Sequence, residues 1–165
     1  MIDVTLTKEE QLMCQEKAEA RYKIARELGL KQLRIDKSPM NVELLGVQGE
    51  MAFAKLFNLH TPMVEHGADA GWDYEINGIT IDVKTASKPH YRLIFRELPA
   101  FKAQVAVLVV KISEDVFRIK GWASKKNFIN WSQPMDDDGF ALEDNRLRKI
   151  QNLWLNTAIK RLKNA

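Results

Sequence analysis

A chain of 165 residues is long enough to bury one sizeable core and is read as a single domain. Hydrophobic residues at 45% and charged residues at 28% exclude a disordered or fibrous chain. The formal net charge of +3 suits a polyanionic partner without requiring one, and the single cysteine, Cys14, excludes an internal disulfide or a cysteine zinc cage.

The longest clear apolar run, Val105 to Val110, falls well short of the ~18 residues that span a bilayer, and the opening MIDVTLTKEE has neither a basic start nor an apolar stretch. The expectation is a cytoplasmic protein with no membrane partner, in which Cys14 is a buried, reduced thiol.

Thr7 and Glu10 form a capping-box pair that predicts a first helix over about 7–29, closed by Gly29 at its C-terminal cap. Its Lys17, Arg21, Lys23 and Arg26 read as a solvated face. Ser38 and Pro39 mark a break, and Asn41 then caps a second helix over about 42–57. Within GVQGEMAFAKLF, Gly46 and Gly49 each weaken the helix by up to ~1 kcal/mol relative to alanine, so some close approach of backbone must require them. Packing against a sheet is the simplest cause. Glu50 shares the side of this helix that carries Gly46, Phe53, Ala54 and Phe57, where a carboxylate belongs only if it is paired or holds a metal.

From Trp72 the apolar spacing changes to alternation, and Asn77-Gly78 is a strong two-residue hairpin signal between WDYEI and ITIDVKT. Further strands are predicted at Arg92–Phe95, Val105–Ile112 and Val116–Trp122, followed by a leucine-rich, basic helix over about 143–162. No repeat or linker divides the chain.

With Asn77 and Gly78 as the turn, Ile76 pairs with Ile79, Glu75 with Thr80, Tyr74 with Ile81, and Asp73 with Asp82. Two aspartates placed opposite each other repel unless something positive lies between them, and a divalent cation answers this. Alternation sends Ile79, Ile81 and Val83 to one face and Thr80, Asp82 and Lys84 to the other, with Glu50 as the third carboxylate in reach. Oxygen ligands without histidine or thiolate favour magnesium or manganese. The bland alternative is a surface Asp73 and an exposed Asp82–Lys84 ion pair, which leaves Glu50 among phenylalanines unexplained.

These residues resemble the PD-(D/E)xK nuclease superfamily of restriction endonucleases, Holliday-junction resolvases and phage exonucleases. Asp73 matches its first acid, Asp82-Val83-Lys84 its (D/E)xK tripeptide and Glu50 its helical glutamate, whereas Trp72 stands where the motif has proline. The resemblance covers about residues 41–122. It implies an α/β fold with the restriction-endonuclease-like αβββαβ core, a mixed central sheet flanked by helices. Glu50, Asp73, Asp82 and the main-chain carbonyl of Val83 would hold Mg2+ or Mn2+, with Lys84 at the attacking water. The implied activity is hydrolysis of phosphodiester bonds, of DNA more than RNA, by a homodimer when two strands are cut. The small size is similar to phage-encoded and resolvase-like members. The rival reading is a nucleic-acid-binding module that keeps the nuclease fold without turnover.

His60, His66 and His90 lack ligand spacing. Ser87, Lys88, His90, Tyr91 and Arg92 could grip phosphate or stack on a base. Asp136–Asp138 reads as a solvated turn without calcium-loop spacing. Trp122, Trp131 and Trp154 are core or stacking residues. Lys125, Lys126, Arg146, Arg148, Lys149, Lys160, Arg161 and Lys163 form either a solvated face or a phosphate-tracking one.

Overall fold

The computed structural model describes residues 1–29, 38–59, 71–87, 91–136 and 139–153. In chain order the elements are β1 (Ile2–Thr5), α1 (Lys8–Glu27), α2 (Pro39–Phe57), β2 (Tyr74–Ile76), β3 (Ile79–Ala86), β4 (Arg92–Phe95), β5 (Val105–Lys111), β6 (Val116–Ser124), α3 (Lys125–Trp131), β7 (Gln133–Pro134) and β8 (Phe140–Glu143). The fold is mixed α/β. A five-stranded sheet runs β1-β6-β5-β3-β2, with β3 and β5 parallel and every other pair antiparallel, and a second sheet runs β4-β8-β7.

The capping box predicted for α1 is present, with the Glu10 amide donating to Thr7 Oγ1 and the Thr7 amide to Glu10 Oε2, and Gly29 takes φ +65° just past the end. The second helix starts earlier than Asn41 suggested. Ser38 caps it, accepting from the Asn41 amide, because Pro39 is well placed at a first helical position whose N–H has no helical partner. Its far end closes on Asn58 in the left-handed conformation.

One core lies between the helices and the large sheet, bringing Cys14 and Ala18 of α1 and Val47 and Phe53 of α2 against Ile81, Val107 and Phe117. A second core fills the other side of that sheet, where Phe95, Phe101 and Phe128 stack beside Leu93 and Leu142. β5, covered on both faces, is buried from Val105 to Val110, which is why it reads as a continuous apolar run rather than an alternation.

Two expectations are corrected by the structure. The leucine-rich segment from 143 does not begin as a helix: Phe140–Glu143 is the central strand of the smaller sheet, Asp144–Arg146 makes a 3-10 turn and Arg148 exchanges both backbone hydrogen bonds with Trp122. Cross-strand hydrogen bonding outweighs local helix preference there. Residues 150–153 are helical, and the rest of that prediction, with Trp154, Lys160, Arg161 and Lys163, lies outside the described residues. Between β3 and β5 the described residues form β4 and a 3-10 turn at Leu98–Ala100 rather than the helix that an αβββαβ order places before its last strand. The strand β1, the helix α3 and the pair β7–β8 had no sequence expectation. No helix among the described residues is long and apolar enough to cross a membrane.

Candidate active site

The Asn77-Gly78 turn forms with φ of +51° and +74°, and the pairs Tyr74–Ile81, Glu75–Thr80 and Ile76–Ile79 stand in the expected register. The ladder then stops. Asp73 and Asp82 are not cross-strand partners, because the Asp73 amide donates to the Ile81 carbonyl at 2.9 Å and the Asp73 side chain turns in toward β3. Its Oδ2 accepts the Val83 N–H at 2.6 Å, in the place where a continued antiparallel ladder would offer the carbonyl of Trp72. A carboxylate thus substitutes for main chain at the edge of β3, and Trp72 is released to the surface with 37% of its area exposed.

Beyond Ile81 this edge of β3 has no pairing to β2 and opens into a cavity of about 600 Å3. Glu50, Asp73, Asp82, Val83 and Lys84 all line it, together with Arg21, Gly46 and Trp72. The five positions predicted from sequence are therefore brought to one place. Since the N–H and C=O of one strand residue point to the same side, the Val83 carbonyl also leaves β3 toward the open edge.

The acids do not share an environment. Glu50, on the buried face of α2, is clasped by Arg21, whose Nη1 and Nη2 reach Oε1 and Oε2 at 2.6 and 2.9 Å, while Lys17 Nζ stands 3.4 Å from Oε2. Lys17 and Arg21 correct the reading of α1 as a solvated basic face: they fall in the i, i+3/i+4 stripe of Cys14 and Ala18, and Lys17 is only 6% exposed. That stripe was the signal available in the sequence. The Tyr74 hydroxyl donates to the Glu50 carbonyl at 3.1 Å and its ring packs 5.4 Å from Phe53, which ties the hairpin to the glutamate's turn of helix.

Asp82 is buried and paired with Lys84, Nζ to Oδ2 2.8 Å, and the same ammonium lies 5.0 Å from the centre of the Phe95 ring. Asp73 is pushed up to about 8 from its ordinary 3.8 by burial first, then by the charges of Glu50 and Asp82. Burial, and to a smaller extent Glu50, also raises Glu43 on the cavity wall. The lining holds five acidic side chains, Glu43, Glu50, Asp73, Asp82 and Glu97, against three cations, Arg21, Lys84 and Lys102. The Cys14 thiol is pushed up to about 12 by burial and by Glu50, and stays protonated and unreactive.

Among the described residues no three acids, histidines or cysteines stand close enough to hold one metal ion. What the donors do fit is a hard cation: carboxylates and one main-chain carbonyl, without sulfur or imidazole, around a surplus of acidic side chains. Asp73 accepts the Val83 N–H and Asp82 precedes Val83 on β3, while Glu50 accepts three hydrogen bonds and keeps lone-pair capacity for a water.

Elsewhere the structure separates the remaining candidates. Tyr91 meets Lys120 at 5.8 Å, Arg92 pairs with Glu143 on β8, and neither lines the cavity, nor does Ser87. Trp122 is a core residue whose Nε1 donates to the Lys149 carbonyl, with Arg148 over its ring, whereas Trp131 is 41% exposed. Asp136 is exposed in the β7–β8 turn that the Met135 amide closes on Gly139. His60, His66, Lys88, His90, Asp137 and Asp138 lie outside the described residues. No family model, curated protein or solved structure matches this chain.

Proposed function

We propose that this protein is a metal-dependent nuclease, of DNA more than RNA, on a variant of the restriction-endonuclease-like core in which β4 and a 3-10 turn stand in place of the helix before the last strand. One observation carries the reading: Glu50 from a helix, Asp73 from the end of a hairpin strand and Asp82, Val83 and Lys84 from the next strand line a single cavity in which acidic side chains outnumber cations. Asp73, Asp82 and the Val83 carbonyl would hold magnesium or manganese, with Glu50 acting through a water. When bound, such an ion supplies the charge that polarises a phosphoryl oxygen and acidifies water. Lys84, anchored by Asp82 and half in solvent, orients the attacking water and donates to a non-bridging phosphate oxygen. Arg21 holds Glu50 in place and adds positive charge on the cavity wall.

A second reading, a nucleic-acid binder without turnover, has its own support in the clasp of Arg21 and Lys17 on Glu50, which satisfies this carboxylate without any metal. The two separate on incubation with single-stranded, duplex and branched DNA in magnesium, manganese or EDTA. New ends that depend on the metal support the nuclease, whereas salt-sensitive binding with no new ends on any substrate favours the binder.

A further inference from the structure

Two glycines lie three residues apart inside α2, and among the described residues only one of them has a packing reason. A Cβ at Gly49 would collide with the Thr85 side chain of β3, whereas at Gly46 no described atom lies within 4 Å of where a Cβ would stand. Gly46 does not need a left-handed backbone either, since it is not among the glycines with positive φ. A helix interior prefers alanine at such a position. The bare backbone faces the cavity one turn before Glu50, and helical side chains lean toward the N-terminus, so the open space adjoins the Glu50 turn. The same cavity carries Trp72, 37% exposed, with Lys102 and two cations already paired to acids, Arg21 to Glu50 and Lys84 to Asp82. Cations along a groove with an aromatic platform are the means by which proteins hold single strands, and a cavity of about 600 Å3 has the size of a small-molecule pocket.

We propose that Gly46 is left bare so that an unpaired nucleic-acid strand can lie against the backbone of α2, with one base stacked on Trp72, and that the substrate is therefore single-stranded where it is cut. This rests on the nuclease reading above and deepens it.

The test uses a fluorescein-labelled single-stranded DNA oligonucleotide and a blunt hairpin of the same length, with binding followed by anisotropy in calcium, and cleavage followed separately in magnesium and manganese. Gly46→Ala melts about 2–4 °C above the wild type. Gly46→Leu folds but binds the single strand at least about tenfold more weakly, and Trp72→Ala loses about 10- to 100-fold. Unchanged affinity in Gly46→Leu, a lower melting temperature in Gly46→Ala, or tighter binding of the hairpin than of the single strand overturns the inference and leaves the nuclease reading standing. The expected losses of affinity in a wild type that cuts neither oligonucleotide nor any nicked or branched DNA would sink the nuclease reading instead, and leave Gly46 and Trp72 as a strand-binding wall. A wild type that binds no oligonucleotide overturns the inference, and cleavage alone then judges the nuclease.

Discussion

Replacing Asp73 by asparagine removes one charge from the most crowded part of the cavity and keeps the acceptor that holds the Val83 N–H. Asp73 is held near 8 in the folded protein against 3.8 in an ordinary setting, so between those pH values the unfolded chain gives up a proton that the folded protein retains. The folded state then binds more protons, and stability must fall as pH rises, by at most ~1.4 kcal/mol per pH unit, before levelling off above about pH 8. The full window sets a ceiling of about 5–6 kcal/mol. Solvent at the cavity and relaxation of Glu50 and Asp82 reduce it, and about 1–3 kcal/mol is the expected gain for Asp73→Asn at pH 8.5 in EDTA. For a domain of this size that raises the melting temperature by about 3–8 °C, while at pH 4 the two proteins melt together. Melts from pH 4 to 8.5 in EDTA measure it, and magnesium at pH 8.5 should raise the wild type more than the variant. A difference that does not change with pH, or a variant less stable than wild type at pH 8.5, would refute the crowding of carboxylates around Asp73.

Arg21→Ala leaves Glu50 with Lys17 as its remaining basic partner, and because Arg21 is partly solvated the loss is about 1–3 kcal/mol, read by urea denaturation at pH 7. Gly49→Ala destabilises by about 1–3 kcal/mol, since a methyl group there meets Thr85, and a melting temperature equal to the wild type's would contradict the close packing of α2 on β3. Lys84→Ala lowers the cleavage rate by about 10²–10⁴-fold with an unchanged circular dichroism spectrum, because the Lys84 side chain is 41% exposed at the cavity.

Local chemistry was legible wherever a residue's role is set by its neighbours in sequence. The capping box at Thr7 and Glu10, the Asn77-Gly78 turn and the strand at Arg92–Phe95 all stand as the pattern predicts. The five site positions converge because the hairpin register and the helical face of Glu50 are both short-range properties. The expected Asp73–Asp82 pair does not form although the register up to Tyr74–Ile81 holds: a side chain taking over a ladder hydrogen bond leaves no trace in the alternation. Lys17 and Arg21 were misread because a cation on a helix is usually solvated, and only the fold brings Glu50 of α2 within reach of them. The strand at Phe140–Glu143 was hidden for a similar reason, since its partners β4 and β7 are set by tertiary pairing rather than by propensity.

The nuclease reading is tested most directly by the rate at which a purified wild type cuts a panel of single-stranded, linear duplex, nicked and four-way-junction DNAs, compared with Lys84→Ala and Asp82→Asn in magnesium, manganese and EDTA. Metal-dependent cutting of at least one member, lost in EDTA and in both folded variants, is the expected result. A folded wild type that cuts none of them, or variants that cut as fast as wild type, would contradict it.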